Sequence, residues 1–304
     1  MDLICIVGPT AVGKTKLSIE LAKRLSGEII SGDSMQIYKT MDIGTAKATI
    51  EEREGIVHHL IDEKDPNEPY SVAEFQKTVR AKIKEIKSRG NMPIIVGGTG
   101  LYIKSVLYDY EFAGESEPKQ IDDEKYKEFD NEALHQKLVE VDPEAAKIIH
   151  PNNRKRVIRA LEIFETSGAK KSDMIENQQH ELIYDVALIG LTDERKVLYD
   201  RINKRVDNMF EMGLVDEVKG LYEAGIPQTA QSIRAIGYKE VYDYFQGHTT
   251  LEECMELIKR NSRRYAKRQY TWFNNQMDVE WFNVDIQHFE NTIQDFLQYI
   301  QNLK

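Results

Sequence analysis

The sequence predicts an α/β fold, a parallel sheet with helices on both faces, and three observations carry this. Strand-like apolar runs alternate with amphipathic helical stretches, the first run opens into a glycine-bounded loop and a helix, and the alternation lapses once in mid-chain. Leu3–Val7 reads as a buried strand and Lys14–Leu25 as the helix after the loop. Glu28–Ser31 is a second short strand. Ser71-Val72-Ala73-Glu74 has the form of a capping box that opens a helix running to Arg89, with Gly90 placed to end it. Pro93–Val96 is the next strand, closed by Gly97-Gly98-Thr99-Gly100. From about Gly114 to Ser172 the pattern gives two or three short helices and no strand. An inserted helical subdomain over 114–182 is therefore expected, between core segments 1–113 and 183–304. Tyr184–Leu191 resumes as a strand, followed by helices over Glu194–Met212, Leu214–Ala224, Gly237–Gln246 and Thr250–Asn274. A strand at Val279–Asn283 and a closing helix complete the chain.

The chain has 304 residues, 41% of them hydrophobic and 30% charged, which is the balance of an ordinary globular protein with a sizeable core. No segment reaches the run of about 18 apolar residues that a spanning helix needs, so no membrane association is expected. Met1–Cys5 runs straight into the first strand with no basic region or cleavage site, and a cytosolic location is expected. Cys5 and Cys254 offer neither a disulfide framework nor a zinc set, and both read as inert. The net charge of −10 argues against nucleic-acid binding if taken globally. Its distribution is uneven, however. Residues 109–132 hold Asp109, Glu111, Glu115, Glu117, Asp122, Asp123, Glu124, Glu128, Asp130 and Glu132, whereas basic residues gather in two short stretches elsewhere.

Gly8-Pro9-Thr10-Ala11-Val12-Gly13-Lys14-Thr15 matches the phosphate-binding loop G-x-x-x-x-G-K-[ST] in full, with a strand before it and a helix after it. The glycines let backbone N–H groups turn toward phosphate oxygens, and the helix dipole adds to the attraction. Lys14 supplies a point charge and Thr15 a hydroxyl for Mg²⁺. The predicted fold class is thus a P-loop NTPase-like parallel sheet flanked by helices, with an inserted all-helical subdomain. Nucleotide hydrolases of this kind carry an acid at the end of another strand to hold Mg²⁺. Here Pro93–Val96 ends in Gly97-Gly98, which disfavours hydrolysis coupled to motion. What remains is a phosphate or diphosphate transferase, or an enzyme for which diphosphate is the leaving group.

Asp33 follows the second strand directly, in Ser31-Gly32-Asp33-Ser34-Met35-Gln36-Ile37-Tyr38. The carboxyl ends of parallel strands form the ligand crevice, so this carboxylate is placed near the loop as a candidate general base. It is equally placed to cap a helix or turn starting at Ser34. Adjacent His58 and His59 lack a third ligand at metal spacing and read as structural. Lys259, Arg260, Arg263, Arg264, Lys267 and Arg268 fall on one long predicted helix, where the spacing from Arg260 onward puts five cations on one face. Arg154, Lys155, Arg156 and Arg159 form a second cluster. Each reads either as a track for a phosphate backbone or as a solvated helix face.

In order along the chain, these residues resemble the bacterial tRNA dimethylallyltransferases, also called tRNA isopentenyltransferases. The likeness continues through Met41-Asp42-Ile43-Gly44-Thr45-Ala46-Lys47, His58-His59-Leu60-Ile61-Asp62 and Gly97-Gly98-Thr99-Gly100-Leu101-Tyr102. It runs on through His150-Pro151-Asn152, Arg156-Val157-Ile158-Arg159-Ala160-Leu161-Glu162 and Ile233-Arg234-Ala235-Ile236-Gly237-Tyr238-Lys239-Glu240. It ends at Arg263-Arg264-Tyr265-Ala266-Lys267-Arg268-Gln269-Tyr270-Thr271-Trp272-Phe273. Between Glu111 and Glu132 no motif is recognised.

The resemblance implies that the loop Gly8–Thr15 holds the diphosphate of dimethylallyl diphosphate, with Mg²⁺ on Thr15 and Arg234 as a second cation. It implies Asp33 as the base acting on the exocyclic amine of an adenine, with Thr10 in support. Ser34, Met35, Gln36 and Thr99 would touch the inserted nucleotide, which must leave its stack to be reached. Lys155, Arg156, Arg159, Arg263, Arg264, Lys267 and Arg268 would grip a tRNA anticodon stem-loop. The family's target is the adenosine 3′-adjacent to the anticodon in tRNAs reading codons that begin with U. No obligate protein partner is evident, and a monomer is expected. Two rival readings of the same residues are a P-loop small-molecule kinase and a non-catalytic RNA-binding protein switched by nucleotide.

Overall fold

The computed structural model describes residues 1–110, 112, 124–176 and 181–303. Of the acidic stretch, Glu111, Glu115, Glu117, Asp122 and Asp123 lie outside the described residues. The chain divides into two compact units, one formed by Met1–Val106 with Tyr184–Lys304 and the other by Leu107–Ile183.

In chain order the first unit contains β1 (Leu3–Val7), α1 (Lys14–Leu25), β2 (Gly27–Ser31), α2 (Ile50–Arg53), β3 (His58–His59), α3 (Val72–Ser88), β4 (Met92–Val96) and α4 (Gly100–Leu107). The second contains α5 (Asn131–Val141), α6 (Pro143–Ile148), α7 (Arg154–Ser167) and α8 (Lys171–Glu176). The first unit then resumes with β5 (Val186–Thr192), α9 (Arg195–Glu211), α10 (Leu214–Glu223), α11 (Tyr238–Phe245), α12 (Leu251–Gln276), β6 (Glu280–Asn283) and α13 (Phe289–Asn302).

The six strands form one parallel sheet in the order β3-β2-β4-β1-β5-β6. β1 is central and fully buried, and its register pairs Ile4 with Ile94 on one side and Ala187 on the other. Ile4, Ile6, Ile94 and Ile189 pack with Leu17 and Leu21 of α1 and Phe296 of α13 in one apolar core. Because every strand runs the same way, the loops after β1, β2 and β4 emerge at one edge of the sheet, where ligand crevices form.

Several local features add to the expected pattern or differ from it. α4 was not anticipated, since its eight residues make barely two turns, shorter than the stretch over which a helical period can be read. His58-His59 is a short edge strand paired with Ile29 and Ile30 of β2. Among the described residues from 114 to 172, α5, α6 and α7 are the short helices, and α8 begins at Lys171. The cap of α3 is also only half a box. Ser71 accepts from the Glu74 N–H at 3.0 Å, but the Glu74 carboxylate turns to Lys64 at 2.8 Å.

The helical unit has its own core, in which Leu134 and Leu138 of α5 pack on Val157, Ile158 and Leu161 of α7. Arg154 contributes to this frame by donating to the carbonyls of Tyr126 and Phe129.

Candidate active site

The loop from Gly8 to Gly13 joins β1 to α1. Gly8, Ala11 and Gly13 hold φ values of 139°, 65° and 108°, a left-handed sequence of turns in which Gly13 caps α1 without a side chain in the way. Lys14 folds back over the loop and donates to the carbonyls of Gly8 and Pro9 at 2.9 and 2.8 Å. Burial, helped by the charge of Arg205 and opposed by that of Asp33, brings its pKa down to about 7. A cleft of about 500 Å³ opens over the loop, lined by Thr10 to Thr15 together with Asp33, Gln36, Arg205 and Gln269.

Asp33 leaves β2 into a tight turn in which its Oδ1 accepts from the Met35 N–H at 2.8 Å. The capping alternative is thereby narrowed: the carboxylate closes a two-residue turn and starts no helix. Burial pushes its pKa above the ordinary value, against the pull of the Met35 N–H and of Lys14. One oxygen is thus committed to the turn, while the side chain lines the cleft.

A second cavity of about 350 Å³ adjoins the first. Thr10, Asp33, Thr45, Ala46, Arg205 and Tyr265 line both, so Asp33 stands where the two meet. Ser34, Met35, Arg234 and Arg268 belong to the second cavity, whose apolar wall includes Ile202, Val206, Met209, Ile236 and Ile258. Thr99 sits behind it, accepting from the Ser34 N–H at 3.2 Å. Gln36 faces the first cleft. Its amide oxygen accepts from Ser31 at 2.9 Å and its amide nitrogen donates to the Thr45 carbonyl at 3.3 Å.

Four residues in or behind the two cavities were given no role from sequence. Gln269 bridges the two loops, accepting from the Thr10 N–H and donating to the Gly98 carbonyl, both at 3.0 Å. Tyr265 lies one turn before it on α12, its phenol pushed up to about 12 by burial. Arg205 of α9 reaches the Thr10 hydroxyl at 3.4 Å. Glu217 of α10 binds the backbone of residues 42–44. Tyr265 and Gln269 fall with Ile258, Ser262 and Phe273 at spacings of three and four on the inward face of α12, a signal masked by the basic residues between them.

The expected stripe of five cations on α12 is divided. Arg260, Arg264, Lys267 and Arg268 are exposed, whereas Arg263 is half-buried and donates to Asn203 of α9. Arg264, Lys267 and Arg268 line an open groove of about 540 Å³ with Trp272. On α7, Lys155 and Arg156 are exposed and Arg159 pairs with Glu162 at 3.5 Å. Lys171 of α8 is the cation that sequence missed there. Its pKa is lowered by burial and then by the charges of Arg156 and Arg159.

His59 is held by Glu28 at 2.7 Å, in a network with Arg89 and Asn91, which is the structural role expected of it. Among the described residues no three His, Cys, Asp or Glu side chains group as a metal site. The oxygen donors over the loop are instead the exposed Thr15 hydroxyl and the carboxylates of Asp33, Glu20, Glu52 and Glu54, which line the cleft singly. Mg²⁺ suits such a sparse set, because it keeps several waters and takes phosphate oxygens as its remaining ligands. No described helix is long and apolar enough to cross a membrane.

The IPP transferase family matches residues 36–276. A tRNA dimethylallyltransferase of Bacillus cytotoxicus is 61% identical over 302 residues, covering 98% of this chain and 94% of its own. Among solved structures, the tRNA isopentenylpyrophosphate transferase of Bacillus halodurans is 51% identical, with a TM-score of 0.74, 99% of this chain covered and 96% of that one. A eukaryotic dimethylallyltransferase acting on tRNA is 32% identical, with a TM-score of 0.84, 99% of this chain covered and 79% of that one.

Proposed function

We propose, since this chain belongs to the IPP transferase family, that it is a tRNA dimethylallyltransferase using the two joined cavities to bring a diphosphate ester and a tRNA adenine together at Asp33. The observation that carries the reading is the position of Asp33 and Thr10 on the walls of both cavities. A carboxylate at that junction faces the loop that binds diphosphate and the chamber that admits the acceptor.

In this reading the diphosphate of dimethylallyl diphosphate lies on the backbone of Gly8–Thr15, and Lys14 leaves the Gly8 and Pro9 carbonyls to meet it. Arg205 and Arg234 add positive charge from the two cavity walls. Mg²⁺ held by Thr15 and the diphosphate would neutralise further charge on the leaving group. The adenine is flipped into the second cavity among Ser34, Met35 and Arg268. As its exocyclic N6 bonds to the allylic carbon, the carbon–oxygen bond to diphosphate breaks and Asp33 takes the amine proton. The raised pKa of Asp33 suits that task, because it makes the carboxylate a stronger base than an ordinary aspartate.

Arg264, Lys267 and Arg268, with Lys155, Arg156 and Arg159, are assigned to the phosphates of the anticodon stem-loop, contacts that position without reading sequence. The acceptor is taken as the adenosine 3′-adjacent to the anticodon in tRNAs reading codons that begin with U. The protein is taken as a cytoplasmic monomer.

The test incubates pure protein with unmodified tRNA, labelled dimethylallyl diphosphate and Mg²⁺, without ATP. Label in the tRNA at that adenosine is expected. Absence of label, with phosphate transferred from ATP to a small molecule, would establish the kinase instead. Absence of label, with tRNA affinity that depends on nucleotide, would indicate a switch.

A further inference from the structure

Two motifs of the chain have so far been given no role in this chemistry: the turn Asp42–Lys47 and the segment from Gly237 to Glu240. The structure brings them together through Glu217 of α10. One carboxylate oxygen accepts from the N–H groups of Asp42 and Ile43 at 2.8 and 2.7 Å. The other accepts from the Gly44 N–H at 3.1 Å and from the Tyr238 hydroxyl at 2.6 Å. Tyr238 itself is fully buried, and its ring packs so closely on Gly44 that a Cβ there would stand 2.5 Å from a ring carbon. The far end of the turn is fixed independently by Lys47, whose ammonium reaches the Tyr38 carbonyl at 2.5 Å and Asp42 and Asp62 at 2.7 and 2.5 Å.

What the turn presents explains the effort. Thr45 and Ala46 line both cavities, and their carbonyls receive the Gln36 amide at 3.3 and 3.5 Å. Gln36 in turn accepts from Ser31, whose hydroxyl also lies 3.4 Å from the Asp33 N–H. A chain of hydrogen bonds therefore runs from Glu217 through the turn and Gln36 to the backbone of Asp33.

We propose that Glu217 is a positioning residue, which by clamping the Asp42–Ala46 turn against Tyr238 sets the wall shared by the two cavities and the placement of Asp33 beside it. This rests on the transferase reading. The carboxylate accepts four hydrogen bonds and offers none, so Glu217→Gln puts an amide donor among N–H groups that need an acceptor.

The experiment compares wild type, Glu217→Gln and Tyr238→Phe by amide hydrogen exchange over residues 41–47, steady-state transfer kinetics and tRNA binding. For Glu217→Gln, exchange of those amides is expected to quicken and kcat to fall by about tenfold or more, because small displacements of reacting groups are costly. Donor KM is expected to rise, with tRNA affinity kept within about twofold, since the phosphate contacts lie elsewhere. Faster exchange with kcat and KM unchanged overturns the proposal, and so does unchanged exchange. Should Glu217→Gln fail to fold, Tyr238→Phe, which deletes one of the four bonds, carries the test. It must move exchange and kcat the same way by about two- to tenfold, the scale of one hydrogen bond, and a variant identical to wild type refutes the clamp. A wild type that transfers nothing to tRNA would refute the transferase reading, while the exchange data would still report on the clamp.

Discussion

Asp33→Asn separates the role of base proposed for Asp33 from everything else the side chain does. The carboxamide oxygen can still accept from the Met35 N–H, a bond of 2.8 Å in the wild type, so the turn after β2 survives. What is lost is a proton acceptor, and a positioned base contributes about 10² to 10⁴ in rate, or roughly 3–5 kcal/mol of barrier. Stability should move the opposite way. The folded-state pKa is raised by burial, so between the ordinary value of 3.8 and that raised value the folded protein holds more protons than the unfolded one. The contribution of Asp33 is therefore lost as pH rises through that window, and above it the charged carboxylate costs stability that asparagine does not. We expect kcat to fall by about 10² or more while Tm stays level or rises, the pattern of a residue kept for activity at the expense of stability. Single-turnover transfer of labelled dimethylallyl groups at saturating tRNA measures the first, and thermal unfolding the second. A rate within about tenfold of wild type would remove Asp33 from the role of base, and a markedly lowered Tm would show that its main job is to hold the turn.

The same geometry gives three further expectations. Lys14, with a pKa brought down to about 7, is only partly charged in the free protein near neutrality, and a bound diphosphate would restore its proton. Calorimetry of inorganic diphosphate binding at about pH 8, in buffers of different ionisation enthalpy, should show proton uptake that Lys14→Met abolishes; uptake preserved in that variant would place the proton elsewhere. Replacing Arg264, Lys267 and Arg268 with alanine should make the log–log salt dependence of tRNA binding shallower, by about 0.7–0.9 for each phosphate no longer neutralised. An unaltered slope would mean that this face does not meet the backbone. Gln269→Met should leave the Thr10 N–H and the Gly98 carbonyl without their partner, at a cost of about 2–4 kcal/mol in urea unfolding together with weaker diphosphate binding. A cost under about 0.5 kcal/mol would show that the two loops hold their places unaided.

The strand-to-helix passage through Gly8–Thr15 was legible because it is local: a buried apolar strand, glycines at left-handed positions and a helix start all fall within a short run of residues. Most helices were legible for the same reason, their period being written in the residues that form them. α4 was not, since eight residues make barely two turns, too few for a helical period to stand out. Even the stripe on α12 was only half legible, because periodicity gives the face of a helix but not its neighbour, and α9 takes up Arg263.

The sequence by itself therefore determined the parallel sheet, the strand–loop–helix passage through Gly8–Thr15 and the place of Asp33 just after the second strand, on the same cleft. Only the tertiary structure decided that Gln269, 259 residues from Thr10, ties the loop to Gly98, that Arg205 reaches the same threonine, and that Glu217 clamps a turn 173 residues away. Those bonds depend on which strands are neighbours and how α9, α10 and α12 pack beside the sheet. Such contacts are made through space by side chains whose sequence surroundings look like ordinary amphipathic helix, so no local pattern of residues encodes them.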